Sequence, residues 1–232
     1  MKLTPETRGQ NFVVYAEGYI RIDGVRLSFP HIAHPQVRES DETDAQGNPV
    51  ELSDYNLVAI LSKDTHAAAR KALVDMNNKL LKEKADNQGK VPAVSQERRY
   101  LKDGDAVDEG GNRLHRAEYE NAWFINAANQ RRPTARDGRG GKIEDLSVIE
   151  ETFPSGIIAN ILVRPWFFDG KSKRNPKKTF PTRLSCGLEA VQFAKDDGVR
   201  FGAERPNDDD VWEVQDGAES PFDDANGDDD EL

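Results

Sequence analysis

From Asn160 to Phe168 the side chains alternate with the period of a β-strand, and the alternation sorts them onto two faces. Ile161, Val163 and Phe167 share a core parity, so Arg164, Trp166 and Phe168 point the other way, aromatic and cationic together. A strand of this kind presents π-surfaces on which unpaired bases stack, and cations that hold phosphates without reading sequence. Duplex DNA keeps its bases stacked inside and does not offer them in this way. The strand runs into a basic hairpin loop, Lys171, Lys173, Arg174, Lys177 and Lys178, and the chain returns through Arg183. On the returning strand Leu184, Cys186 and Leu188 take the core parity, while Arg183, Ser185 and Gly187 face outward with little bulk and leave room for a ligand against the backbone. An isolated hairpin of this composition could equally bury Trp166 and Phe168 in a second core and keep its lysines for solubility. A second basic loop, Arg131, Arg132, Arg136, Arg139 and Lys142 among Gly138, Gly140 and Gly141, weighs against that reading. Tyr15, Tyr19 and Arg21 repeat the aromatic and cationic alternation near the N-terminus, interrupted by Glu17, and are secondary candidates.

Other chemistries find weaker support. Asp145, Glu150 and Glu151 lie beside a short apolar stretch, but adjacent carboxylates on a strand point to opposite faces and do not build a two-metal nuclease site. His31 and His34 sit among prolines without further ligands at metal-site spacing. Cys186 is the one cysteine, which excludes an internal disulfide, and its core parity reads as an inert thiol. Gly138-Arg139-Gly140-Gly141 lacks the lysine-serine ending and following helix of a phosphate-binding loop. The expectation is a protein without catalytic residues, metal or cofactor.

Charge is divided along the chain. The 232 residues carry 32 Lys and Arg against 42 Asp and Glu, but Pro206 to Leu232 hold 12 acidic and no basic residues, which leaves residues 1–205 at 32 against 30. Within that body, Arg131–Lys142 and Arg164–Arg183 together hold 12 basic and 2 acidic residues. A concentrated basic surface beside a separate acidic segment points to a polyanionic partner. The tail is too self-repulsive to fold and is expected to be disordered, with Trp212, Phe222 and Leu232 as anchors for a partner protein. Mean hydropathy is -0.77, no stretch approaches a membrane span, and the N-terminus lacks a signal-peptide core, so a cytoplasmic location is expected.

The elements that must position these residues read as mainly β. Phe12 to Phe29 alternates as a strand with a hairpin turn at Asp23-Gly24. Glu39 to Asp54 reads as an acidic loop and Tyr55 to Leu61 as a buried central strand. Asp64 or Thr65 can cap a helix whose apolar residues Ala69, Ala72, Leu73, Met76, Leu80 and Leu81 recur at three and four. Asp86 to Arg116 is a long connection, Glu118 to Ala127 a strand, Ser147 to Phe153 a short strand or turn, and Ile157–Phe168 and Phe180–Phe193 the two strands already described. Five or six strands, one helix and long loop insertions suit an OB-like antiparallel β-barrel over residues 1–205, with residues 206–232 as the tail.

The segment Gly24-Val25-Arg26-Leu27-Ser28-Phe29-Pro30, the Leu162–Phe168 strand, the run Leu184 to Phe193 and the acidic tail together resemble the phage single-stranded-DNA-binding proteins of the OB-fold type. The resemblance implies a protein that coats single-stranded DNA during phage replication and recombination, in the cytoplasm of an infected bacterium. It also implies a tail that contacts replication proteins such as a DNA polymerase or helicase. The family's tail ends in an aromatic residue, and here Leu232 takes that place. The same reading leaves room for a homo-oligomer and for two rivals, a metal-dependent nuclease or recombination enzyme and an adaptor acting through its tail.

Overall fold

The computed structural model describes residues 2–43, 49–171 and 179–202, and a single compact unit takes in Met1–Phe201. Along the chain run β1 (Pro5–Gly9), β2 (Phe12–Tyr15), β3 (Ile20–Thr43), β4 (Pro49–Ser62), α1 (Ala67–Lys82), β5 (Leu101–Asp103), β6 (Ala122–Asn129), β7 (Thr134–Arg136), β8 (Lys142–Ile143), α2 (Leu146–Thr152), β9 (Ile158–Phe168) and β10 (Arg183–Lys195). The strands pair in the order β5-β6-β4-β3-β9-β10-β7-β8, with β1 and β2 attached beside β3. This is the expected mainly β, OB-like sheet. Its long path curls, because an isolated parallel bridge joins Arg99 to Leu184 of β10 and the Asn126 amide of β6 donates to the Tyr100 carbonyl at 3.0 Å. The Asn129 side chain of β6 also donates to the Leu188 carbonyl of β10 at 3.1 Å.

The inward parity fills the core. Ile20, Ile22, Leu27, Leu61, Ile125, Ile161 and Leu188 are essentially inaccessible, and Leu73 of α1 packs with them. Burying each such side chain contributes about 1.5–3 kcal/mol, which is what locks the register, since a slip by one residue would turn the whole set to solvent.

The structure departs from the sequence reading in six places. Asp23-Gly24 is not a hairpin turn: β3 runs through it, Gly24 adopts φ +74°, and the pairing with β9 shifts between Ile22 and Val25. A glycine followed by good strand residues makes a bulge as readily as a turn, and pairing to β9 on both sides decides for the bulge. The acidic stretch 39–54 is not a loop in its described part, because β3 and β4 extend into it as a two-stranded arm with Gln36, Val37, Arg38 and Glu39 opposite Asp54, Ser53, Leu52 and Glu51. Here strand pairing overrides a composition that signals turns. Ser147–Phe153 belongs to a second helix, α2, capped by Asp145, whose carboxylate accepts from the Ser147 amide at 2.9 Å and the Val148 amide at 3.4 Å. His66, rather than Asp64 or Thr65, precedes α1, with its ring bonded between Thr65 Oγ1 at 2.8 Å and the Asp23 carbonyl at 3.0 Å. The sheet is not wholly antiparallel, since β7 pairs parallel to β10 through Ala190, Val191 and Gln192. Strand β1, unremarkable in sequence, pairs with β2 and is exposed throughout. The tail expectations lie outside the described residues. Among the described residues, no helix is long and apolar enough to cross a membrane.

Candidate nucleic-acid interface

Antiparallel pairing of β9 with β10 sets Phe168 opposite Arg183, Trp166 opposite Ser185 and Arg164 opposite Gly187. Phe167, Pro165 and Val163 lie inward against Leu184, Cys186 and Leu188. The outward parity is therefore the one expected. Trp166 is 41% exposed, whereas Val163 and Leu188 are at 0%. Pro165 fits a regular strand here because β3 pairs with β9 only as far as Val163, so the ring lies beyond the three-stranded part of the sheet.

The face is organised by ring and cation contacts. The Trp166 and Phe168 centroids are 6.3 Å apart at 85°, and Phe168 and Phe180 are 6.5 Å apart. The Arg183 guanidinium lies 4.6 Å from the Phe168 centroid, and that of Arg164 lies 5.1 Å from the Tyr19 centroid. Rings and guanidiniums therefore contact one another across this face. Small Ser185 lies opposite Trp166, but Gly187, expected to leave room beside Arg164, is buried: a Cβ there would meet the Glu189 carboxylate at 3.3 Å and the Arg164 carbonyl oxygen at 3.5 Å.

Burial, followed by the like charges of Arg38 and Arg98, lowers the pKa of Arg183, while Asp54 opposes the shift. Arg38, Arg98 and Phe180 thus border the face, although sequence reasoning did not select them. Arg38 lies in the stretch leading to the acidic segment and Arg98 in the long connection, and no periodicity links either to β10. Phe180 had a signal, an aromatic three residues before Arg183.

The remaining expected residues divide into groups. Lys171 is exposed and bridges backbone to Thr179. Lys173, Arg174, Lys177 and Lys178 lie outside the described residues. Gly170 turns the chain into this hairpin at φ +85°, where a Cβ would sit 2.2 Å from the Phe180 carbonyl oxygen. Tyr19 joins the face through Arg164. Tyr15 stands at the other end of the turn, its amide donating to the Tyr19 carbonyl at 2.9 Å. Arg21 is held by Asp23, Nε to Oδ1 at 2.8 Å. The intervening Glu17 is engaged elsewhere, since its carboxylate accepts from the Thr4 amide at 3.0 Å, a bond that lowers its pKa.

The second basic loop is the small β7–β8 hairpin at the far end of β10, with Arg136 opposite Gln192. Gln192 lies seven positions beyond Ser185, so at about 3.3 Å per residue the two basic regions stand roughly 23 Å apart along one strand. Its glycines do not leave it loose. Asp137 accepts from the amides of Arg139 at 2.9 Å and Gly141 at 2.8 Å, and Arg136 donates to the Gly140 carbonyl at 2.6 Å. Arg131, Arg132, Arg139 and Lys142 remain exposed.

The groups weighed for catalysis have structural roles or surroundings. Asp145 caps α2, and Glu150 lies on that helix, 3.9 Å from His34. Cys186 is buried, which pushes its thiol pKa far up. Among the described residues no three His, Cys, Asp or Glu side chains are grouped to hold a metal ion.

Comparison with solved structures finds the single-stranded DNA-binding protein from bacteriophage Enc34 at 24% identity and TM-score 0.68, over 92% of this chain and 100% of that one. The same phage protein in complex with ssDNA matches at 27% identity and TM-score 0.66, over 87% of this chain and 99% of that one. A C-terminal truncation of it matches at 26% identity and TM-score 0.65, over 84% and 96%. No curated protein matches the chain. A family model described as Enterobacter phage Enc34, ssDNA-binding protein, matches residues 19–222, which takes in Tyr19 and every strand from β3 to β10, and the chain therefore belongs to the Enc34 ssDNA-binding protein family.

Proposed function

We propose that this protein binds single-stranded DNA without reading its sequence, on the outward face of β9 and β10, and that it coats and protects the strand during phage replication and recombination. The observation that carries the reading is Trp166, exposed between Arg164 and Phe168 and opposite the small Ser185. A base stacks on such a ring, and the flanking guanidiniums take the phosphates on either side. The matched phage protein in complex with ssDNA supports the same ligand. The site residues are Arg164, Trp166, Phe168, Lys171 and Arg183 with Tyr19, extended by the cations Lys173, Arg174, Lys177 and Lys178 that follow in the sequence and by Arg131, Arg132, Arg139 and Lys142 at the far end of β10. Arg136 and Arg21, both bonded within the protein, and Tyr15 are the weaker members.

The protein acts as a binding protein rather than an enzyme, in the cytoplasm of an infected bacterial host. Residues 206–232, with 12 acidic side chains, recruit a replication protein through Trp212, Phe222 and Leu232 and compete with DNA for the basic segments. Titration of a labelled oligothymidylate by fluorescence anisotropy at several salt concentrations tests the binding. The expected result is an affinity that falls steeply with salt, each contacted phosphate adding about 0.7 to the log–log slope. A salt-independent affinity, or none, would overturn the proposal. For the tail, a chain ending at Arg205 is expected to bind more tightly at low salt and to lose its protein partner; unchanged affinity would remove the competition.

A further inference from the structure

We infer that Arg98 and Arg183, with Arg38 beside them, form a fixed phosphate-binding subsite for the DNA backbone, and that the Asp54 carboxylate occupies it until DNA displaces it. The inference rests on the single-stranded-DNA reading and specifies how one end of that interface is built and held when empty. Its geometry begins with the parallel bridge between Arg99 and Leu184, reinforced by the Tyr100 amide donating to the Leu184 carbonyl at 3.1 Å. The bridge brings Arg98, the last residue of a short 3-10 turn (Gln96–Arg98), beside Arg183 at the start of β10. Because Leu184 points inward, Arg183 shares the outward face with Phe168 and Trp166, and Arg98 is exposed next to it. The neighbouring backbone is anchored, since Thr182 Oγ1 donates to the Ala93 carbonyl at 3.0 Å and the Arg99 guanidinium donates to the Val94 carbonyl at 3.1 Å.

Two like charges held side by side need a reason. Among the described residues neither Arg98 nor Arg183 has an ion-pair partner, and Arg183 is laid against the Phe168 ring. The β3–β4 arm contributes the other charges, Arg38 and Asp54, joined at 2.9 Å between Nη2 and Oδ2. Arg38 and Arg98 each disfavour the charge on Arg183, and Asp54 favours it. Among the groups that act on Arg183, Arg38 and Arg98 are positive and Asp54, bonded to Arg38, is the one carboxylate. Guanidiniums suit a phosphate because their planar donors pair two of its oxygens at once. The Asp54 side chain is 16% exposed against 62% for Arg38, so the carboxylate is held in and the arginine is free to swing toward a ligand. A phosphate carries the same charge as Asp54 and, arriving on a strand stacked at Trp166, is held there by neighbouring contacts. It pairs Arg98 and Arg183, which Asp54 leaves without an ion pair among the described residues. Asp54 is then an internal competitor that lowers affinity for DNA.

The test compares the full chain with Asp54→Asn and Arg98→Gln, using a labelled oligothymidylate over a salt series and a thermal melt of each protein. Removing the competitor is expected to tighten binding at low salt about two- to fivefold, the scale of an exposed ion pair. It is also expected to steepen the log–log slope by as much as about 0.7, because a salt anion then occupies the subsite and is released. Arg98→Gln is expected to weaken binding and make the slope shallower by about 0.7. Unchanged or weaker binding by folded Asp54→Asn would overturn the competition, and wild-type affinity and slope in Arg98→Gln would overturn the subsite. If Asp54→Asn does not fold, Arg98→Gln decides alone, because Arg98 is exposed on a short turn. Failure of the unsubstituted chain to bind the oligonucleotide would instead sink the parent reading.

Discussion

Replacing Trp166 by alanine separates a stacking platform from a piece of core, and the structure sets the size of both effects. The ring is 41% exposed and touches Phe168 edge-on at 6.3 Å. An edge-to-face pair is worth about 0.5–1.5 kcal/mol beyond burial, and with the part of the ring that is covered the loss of stability should stay near 2 kcal/mol. For a unit of about 200 residues this lowers the melting temperature by roughly 4–8 °C. A fully buried Trp would cost about 3–5 kcal/mol instead. The loss of one stacked base costs about 1–3 kcal/mol of binding, or roughly a 5- to 150-fold weaker dissociation constant. Fluorescence anisotropy with an oligothymidylate and a thermal melt on the same sample read both quantities. The slope with salt should stay unchanged, because a ring carries no charge. A folded variant that binds like the unsubstituted protein would refute the platform, and a collapse of stability would assign Trp166 to the core.

Two further outcomes test the frame behind the face. Leu184→Ala removes a buried side chain and is expected to cost about 2–5 kcal/mol in denaturant unfolding, whereas Ser185→Ala next to it is expected to cost almost nothing; equal costs would mean that the parity is wrong. Arg26 donates to both Asp197 oxygens, at 2.9 and 2.6 Å, and this partner holds the Asp197 pKa well below the ordinary carboxylate range. A depressed folded pKa contributes stability above the unfolded value of about 3.9 and loses it as the pH falls through the folded value. Asp197→Asn is therefore expected to lower the melting temperature at neutral pH, with the gap closing below about pH 4. A gap that does not change with pH would detach the pair from stability.

The inward and outward parity of β9 and β10 was legible in the sequence because period-two alternation is local and strong. Ile161, Val163 and Phe167 against Arg164, Trp166 and Phe168 needed only the strand period, and Leu184, Cys186 and Leu188 confirmed it across the hairpin. Helix α1 was legible from an equally local pattern, its apolar residues recurring three and four apart. The short helix α2 was not, because Val148 and Ile149 favour strands and the Asp145 cap was the one local sign. The arm was hidden by Asp, Glu, Gly and Pro, residues whose local preference is for turns, while its pairing is a property of two segments together. Arg98 and Arg38 were out of reach for a different reason: a bridge from Arg99 to Leu184 spans 85 positions, and no pattern within either segment announces it.

The central claim is that the β9–β10 face takes unpaired bases. Competition between an unlabelled oligothymidylate and a duplex of the same length, for protein bound to a labelled single strand at moderate salt, tests it most directly. Phosphate contacts alone would serve both competitors, so the difference isolates stacking on Trp166 and Phe168. The expected result is displacement by the single strand at concentrations at least tenfold lower than by the duplex, with the difference reduced in Trp166→Ala. Equal displacement by the two, or tighter binding of the duplex, would contradict it.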